Sequence, residues 1–392
     1  MKATSTIASS LGNHMINWND VRRAYPEQWP LLNLNNAAVS PSTLATEKVM
    51  IESFRFINKN PDVNMWEKLD AKVPGIKAKL AALADCNAGE IALNRNSSEG
   101  LCTAILGLPM APGDGVLLPD WDYASMRAAW FQRQAREGIE INPVSFTLMD
   151  SDDAVVEAYA RAITPRTKAM LITHMLHWNG RVLPVERLCA LAREHGITTI
   201  VDGAQSFAQI PISFRQLGCD IFVSSLHKWL CAPVGNGMMI IRAGLIDEIW
   251  PLFSPYEDTP VGIGKFDTPN LGTLNCAAQT AIEPAIDFHN SIGTANIHER
   301  LRFLTRYWAE RAADIPGFRL HTPIEREDQA AVSLFSIEHM DARQVEKALR
   351  ARDIRVRYRE VKTVTGVRVS PHIYTTTDEL DRFVGALREV AR

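Results

Sequence analysis

Between Glu90 and Arg242 short apolar runs alternate with longer amphipathic stretches, and this alternation restricts the chain to few architectures. The runs EIALN (90–94), GVLLP (115–119), AMLIT (169–173), ITTIVD (197–202), DIFVS (220–224) and GMMIIR (237–242) are too short for ordinary helices, and their apolar residues are consecutive. Such strands bury both faces, as in a parallel sheet covered by helices on each side. The intervening VERLCALAREHG (185–196) has helical spacing, with Gly196 where a C-cap is expected. The pattern predicts an α/β domain with a mainly parallel sheet. The tail has another rhythm: a long helix over 290–317, a strand in AAVSLFSIEH (330–339), a helix in ARQVEKALRARD (342–353), strands in IRVRY and GVRVS, and a last helix over 377–392. That succession predicts a smaller α+β domain. At about 150 residues per domain, 392 residues suit two. We expect a large domain over 34–285, with 1–33 and 286–392 forming the small one.

Composition narrows the partners. Hydrophobic residues at 46% and charged residues at 22% lie near globular averages, so disorder is not expected. Lys plus Arg number 42 against 45 Asp plus Glu, with no basic stripe, so nucleic acid is not an expected partner. The six cysteines form no CxxC pair, which suits a reduced, cytoplasmic protein. The strongly apolar uncharged run from Trp229 to Ile241 falls short of the ~18 residues of a membrane span. The N-terminal MKATSTIASSLGNH has no continuous apolar stretch, so neither membrane nor signal peptide is expected. No HExxH or other metal-ligand cluster is present, and GIGKF (262–266) lacks phosphate-loop spacing, so Lys265 is a poor candidate for chemistry.

The chemistry centres on VDGAQ (201–205) and SSLHK (224–228). Asp202 closes one apolar strand and Lys228 follows another, and ligands of an open α/β sheet bind outside the carboxyl ends of its strands. Taken singly, the lysine reads as a surface charge and the aspartate as a turn residue. Together they match the needs of pyridoxal phosphate: a lysine to carry it as a Schiff base, and a carboxylate to keep its ring nitrogen protonated. Lys228 also lies between apolar IFV (221–223) and WLCAPVG (229–235), a setting that depresses a lysine's pKa and favours the neutral amine. For the phosphate, Asn96, Ser97 and Ser98 stand where a strand enters a helix, whose N-terminus is either an anion site or a plain serine N-cap. Ser225 and His227 flank Leu226 and share the side opposite it, as two further donors.

These residues, with LNNAAVSP (34–41), RNSSEG (95–100), LITHMLHWNGRVLPV (171–185), GNGMMIIR (235–242), LGTLN (271–275) and VRVSPHIYTTTDELDRFV (367–384), resemble the class V aminotransferases of fold type I. That family includes cysteine desulfurases and isopenicillin N epimerase, and the resemblance covers most of the chain. It implies a fold-type-I transferase with pyridoxal 5'-phosphate on Lys228, Asp202 at the pyridine nitrogen and Gln205 at the ring hydroxyl. It implies that Tyr123 stacks on the cofactor face, that Ser97, Ser98, Ser225 and His227 hold the phosphate, and that Arg368 grips the substrate α-carboxylate. Thr273 would reach the phosphate of a neighbouring subunit, which implies a homodimer.

Two departures matter. No cysteine follows Cys276, which adjoins LGT, so the C-terminal cysteine of persulfide-forming desulfurases has no counterpart. Where some relatives carry an asparagine beside the ring hydroxyl, this chain has His177 and Trp178, either a substrate-pocket or acid–base element or a structural aromatic pair. The expected function is chemistry at the Cα amino group of an amino acid or amino-acid conjugate, closest to the isopenicillin-N-epimerase-like branch. A C–S lyase acting by β-elimination on a cysteine conjugate and a non-catalytic cofactor-binding module are the alternatives.

Overall fold

A computed structural model of the protein describes residues 16–254, 261–267, 272–361 and 364–392. The strands are β1 (Leu32–Asn33), β2 (Ile91–Asn94), β3 (Gly115–Pro119), β4 (Glu140–Val144), β5 (Thr167–Thr173), β6 (Thr198–Asp202), β7 (Ile221–Ser225), β8 (Gly237–Ile241), β9 (Phe318–Leu320), β10 (Ser333–Ile337), β11 (Ile354–Arg355), β12 (Arg357–Val361) and β13 (Val364–Val369). A seven-stranded sheet in the order β2-β8-β7-β6-β5-β3-β4 lies at the centre. Alternate residues divide between two cores: Leu117, Met170, Ile172, Val201 and Phe222 face one, and Val116, Leu118, Ala169, Leu171, Ile200 and Val223 face the other. Both faces are therefore covered, as the consecutive apolar runs require.

Two strands depart from expectation. GMMIIR forms β8, which runs antiparallel to both β7 and β2. The link from Ser225 to Gly237 holds no helix, and a parallel return needs a longer crossover connection. β4, drawn from EINPV, has no apolar run because it is a largely exposed edge strand, where Pro143 is tolerated.

The helices that matter for the site are α1 (Ser97–Gly107), α2 (Ala124–Glu137) and α3 (Val185–Glu194). The helix expected over 290–317 is instead two, α4 (Ile282–Ile292) and α5 (Thr294–Ala312), separated by Gly293 at φ +85°. A positive φ interrupts a right-handed helix and is readily adopted by glycine. Beyond them β9, β10, β12 and β13 form an antiparallel sheet ordered β12-β13-β10-β9, covered by α6 (Ala342–Arg350) and α7 (Thr377–Val390). IRVRY divides at buried Val356: β11 pairs in parallel with β1, whereas β12 pairs with β13.

The two sheets are joined by a strap. Ala330, Ala331 and Val332 pack into the core of the large sheet, and the Gln209 carboxamide accepts from the Ala331 N–H at 2.6 Å. Gly180 holds the other side of that contact at φ +77°, where an added Cβ would collide with the Val332 carbonyl. Gly180→Ala combines a left-handed backbone with a backbone clash and should cost roughly 2–5 kcal/mol. The check is the urea unfolding midpoint, and an unchanged midpoint would disprove this reading of the strap.

Candidate active site

A cavity of about 270 Å³ opens at the carboxyl edge of the large sheet, between the ends of β5, β6 and β7, the start of α1 and the small sheet. Asp202 ends β6, Thr173 ends β5 beside it in register, and Ser225 ends β7. β2 runs parallel to β7 with β8 between them, so the turn after Asn94 brings the N-terminus of α1 against Ser225.

Lys228 lies in this cavity, three residues beyond the end of β7. Burial draws its amine down to about 8; the Asp202 carboxylate opposes that fall, while Arg368 and Arg359 add to it. Asp202 is buried, and one carboxylate oxygen accepts from the Ala204 N–H at 2.9 Å. Burial raises its pKa against the Ala204 hydrogen bond and the charge of Lys228. The other oxygen accepts no hydrogen bond from the described residues and is available to a ligand proton.

At the start of α1 the cap is Asn96 rather than a serine: its side chain accepts from the Glu99 N–H at 3.0 Å. Ser97 and Ser98 are thereby released to line the cavity. The Ser97 N–H donates to Ser225 Oγ at 2.9 Å, and Ser225 Oγ donates to Ser97 Oγ at 2.8 Å. These bonds leave the Ser98 amide and the positive end of α1 facing the cavity, a suitable seat for a phosphate. His227 Nδ1 lies 3.3 Å from the Asn236 carbonyl, to which it can only donate, so Nε2 faces ligands as an acceptor unless the ring is charged. Burial and Lys228 lower the His227 pKa.

Gln205 is held at both ends of its amide: it donates to the Ala37 carbonyl at 2.9 Å and accepts from Trp229 Nε1 at 3.0 Å. One amide hydrogen remains for a ring hydroxyl. Tyr123, at the N-cap of α2, meets the His177 ring edge-on at 5.3 Å, and His177 lies 4.3 Å from the Trp178 ring. Burial and the nearby Arg368, Arg359 and Lys228 charges hold His177 well below the usual histidine range, so it is neutral. Arg368, on β13, donates to the His177 carbonyl and to Asn35 Oδ1, each at 3.0 Å. Its Nε is buried with no partner among the described residues.

Of the residues singled out by sequence, Ser97, Ser98, Tyr123, His177, Asp202, Gln205, Ser225, His227, Lys228 and Arg368 all line this cavity. Thr273 does not: it is exposed and borders a separate depression with Arg95 and Gly235, and Leu271 of its motif lies outside the described residues. Sequence reasoning missed Arg359, which enters from β12, and Asp122, buried behind the cavity. Thr173 Oγ1 donates to Asp122, and burial first, then the charge of Asp202, raise that carboxyl well above the usual range. Apolar-run patterns do not predict which strands of the small sheet pair, so Arg359 carried no signal beyond its two-residue spacing from Arg357.

The donor set suits one cofactor. A recessed lysine amine, a buried carboxylate with a free oxygen, a helix N-terminus flanked by serine hydroxyls and a buried guanidinium match the carbonyl, ring nitrogen, phosphate and substrate carboxylate of pyridoxal-phosphate chemistry. Fold and site together define a fold-type-I pyridoxal-phosphate enzyme. Residues 32–383 match the family described as Aminotransferase class-V, and the chain belongs to that family. It is 30% identical to an isopenicillin N epimerase of Streptomyces clavuligerus, over 94% of this chain and 97% of that protein. It is 25% identical to a probable cysteine desulfurase of Synechocystis sp., over 93% of this chain and 91% of that protein. Among solved structures, a mutant of C-DES with glycine covalently linked to its pyridoxal-phosphate cofactor shares the fold, with a TM-score of 0.86 at 21% identity, covering 94% of this chain and 99% of the other. A cysteine desulfurase from Thermococcus onnurineus NA1 does likewise, with a TM-score of 0.85 at 20% identity, covering 96% and 99%.

Proposed function

We propose that the protein acts at the Cα amino group of an amino acid or amino-acid conjugate, with Lys228 as both cofactor attachment and base. The observation that carries this reading is the meeting of Lys228, Asp202 and Arg368 in one cavity with the N-terminus of α1. When bound, pyridoxal phosphate supplies an electron sink for a carbanion at Cα. Ser97 and Ser98 would donate to its phosphate, Ser225 would orient Ser97, and His227 would join them when its ring is charged; Gln205 would meet its ring hydroxyl and Asp202 the proton on its ring nitrogen. Tyr123 would cover its face. Arg368, held by His177 and Asn35, takes the substrate α-carboxylate with its remaining donors and so sets the direction of the Cα–H bond. The Lys228 amine, once free, removes the Cα proton.

A β-eliminating C–S lyase is the second reading. It needs no protein thiol, and no cysteine is among the described residues that line the cavity. Desolvation also pushes Cys86, Cys189, Cys231 and Cys276 up to about 12, which disfavours a thiolate that would carry sulfur. We read the chain as a homodimer, with Thr273 reaching the neighbouring phosphate site; exposed Phe54, Trp66 and Trp250 support a covered surface. We read residues 34–285 as the large domain, 1–33 with 286–392 as the small one, and the buried thiols as those of a cytoplasmic protein. No described helix is long and apolar enough to cross a membrane.

Borohydride treatment of the yellow holoprotein should fix the cofactor to the peptide bearing Lys228, identified by mass. A cofactor fixed elsewhere, or none fixed, would overturn the assignment. Turnover of an amino-acid panel in deuterated water then separates the outcomes. Pyridoxamine phosphate marks transamination, deuterium at an inverted Cα marks epimerisation, and release of pyruvate with a thiol marks elimination. Bound cofactor without turnover of any amine would mark a binding module.

A further inference from the structure

β12 and β13 pair antiparallel, with Arg357 opposite Arg368 and Arg359 opposite Gly366. Side chains alternate along a strand, so Arg359 and Arg368 share one face of the small sheet, and both reach the cavity. Their partners differ. Arg368 is fixed by the His177 carbonyl and Asn35. Arg359 has no ion-pair or hydrogen-bond partner among the described residues, and its Nε is buried. Glu346, which acts on Arg359 through space, is already engaged by Arg350 at 3.1 Å and lies 3.9 Å from Arg357.

Among the described lining residues the cavity holds one carboxylate, Asp202, against Lys228 and two guanidiniums. A buried charge without a counter-ion is costly, and such groups are normally paired. An amino acid's α-carboxylate supplies one anion, which a single arginine can bind bidentately. The phosphate seat is built from α1 and the end of β7 in the large sheet, whereas both arginines come from the small sheet. One guanidinium therefore remains without an anion when an ordinary monocarboxylic amino acid is bound.

We propose that Arg359 is a second anion clamp and that the substrate carries a second, distal carboxylate, as in a dicarboxylic amino acid or a conjugate ending in an acid. The assignment builds on the proposal that Arg368 takes the α-carboxylate. The Tyr123 phenol lines the cavity near enough to Arg359 to act on its charge, and offers the distal acid one further donor.

The test uses unreactive ligands on the holoprotein, with binding read by calorimetry: succinate, glutarate and adipate, each against butyrate. The wild type should bind at least one diacid about tenfold or more tightly than butyrate, the worth of one charge-assisted hydrogen bond. Arg359→Gln should bring that ratio to within about twofold of unity, while Arg357→Gln, which alters a nearby charge outside the cavity, should preserve it. Turnover should follow the same order, with kcat/KM for L-glutamate or L-2-aminoadipate exceeding that for L-norvaline in the wild type, and Arg359→Gln removing the difference. No preference for any diacid would overturn the proposal. So would an equal loss of butyrate and diacid in Arg359→Gln, which would mean that both arginines share one carboxylate. Failure of the Lys228 reading is seen separately, as absence of borohydride trapping, and leaves the calorimetric ratios intact.

Discussion

Lys228→Ala should lower turnover by at least about 10³-fold, the upper part of the range for loss of a positioned proton-transfer group, compounded by loss of the covalent tether. The variant should still bind the cofactor through Ser97, Ser98, Ser225, Asp202 and Gln205, because none of those contacts involves the lysine. It should, however, give no borohydride-stable adduct. The wild-type environment explains why this lysine is competent. With its amine brought down to about 8 by burial, about one molecule in ten is neutral at pH 7, against about one in three thousand for an ordinary lysine. The sign follows from the protonation step: the neutral amine is the reactive form, so uptake of cofactor by the apoprotein should rise with pH and level above about 8. An uptake rate still climbing steeply toward the normal lysine pKa would show that burial does not act on this amine. Lys228→Ala that retained a tenth of wild-type turnover would remove the lysine from the mechanism.

The site was legible in the sequence where chemistry and strand ends coincide. Asp202 and Lys228 each follow an apolar run, and the edge of a parallel sheet is the place where such ends converge. Ser97 and Ser98 were legible for the same reason, although their role differs from a cap: Asn96 caps the helix and leaves the serines to the cavity. Less was legible where pairing is non-local. GMMIIR has the composition of its parallel neighbours, and nothing in its residues records that β8 runs the other way; the length of the connection from Ser225 does. Arg359 was hidden for a related reason. A strand in RYREV shows which residues share a face, but the partner that turns this face toward the cavity is β13, and that pairing is a property of the folded small sheet. Asp122 carries no signal of its own: an aspartate between a strand and a helix is an ordinary turn residue, and only the folded sheet sets it beside Asp202.

Asp202→Asn should lower turnover by about 10²–10³-fold, the usual effect of removing one preorganised charge from a buried site, whereas Asp122→Asn should cost less than about tenfold. The two carboxyls are close enough for the charge of Asp202 to raise the pKa of Asp122. Two buried carboxylates side by side do not both ionise readily. The asymmetry comes from their partners. Asp202 has the Ala204 N–H at 2.9 Å and the positive field of Lys228, both of which favour its charged form. Asp122 has a hydroxyl donor in Thr173 and an oxygen with no hydrogen-bond partner among the described residues, so burial dominates and favours its neutral form. A neutral acid and an amide are nearly isosteric, and asparagine at 122 can still accept from Thr173. At 202 the same change removes the negative charge that would balance a protonated ring nitrogen. The measurement is kcat for the two variants, together with the absorbance of the bound cofactor, which should shift in Asp202→Asn and not in Asp122→Asn. Equal losses in both variants would mean that the pair works as one shared-proton unit, and the assignment of the ring-nitrogen role to Asp202 alone would then fail.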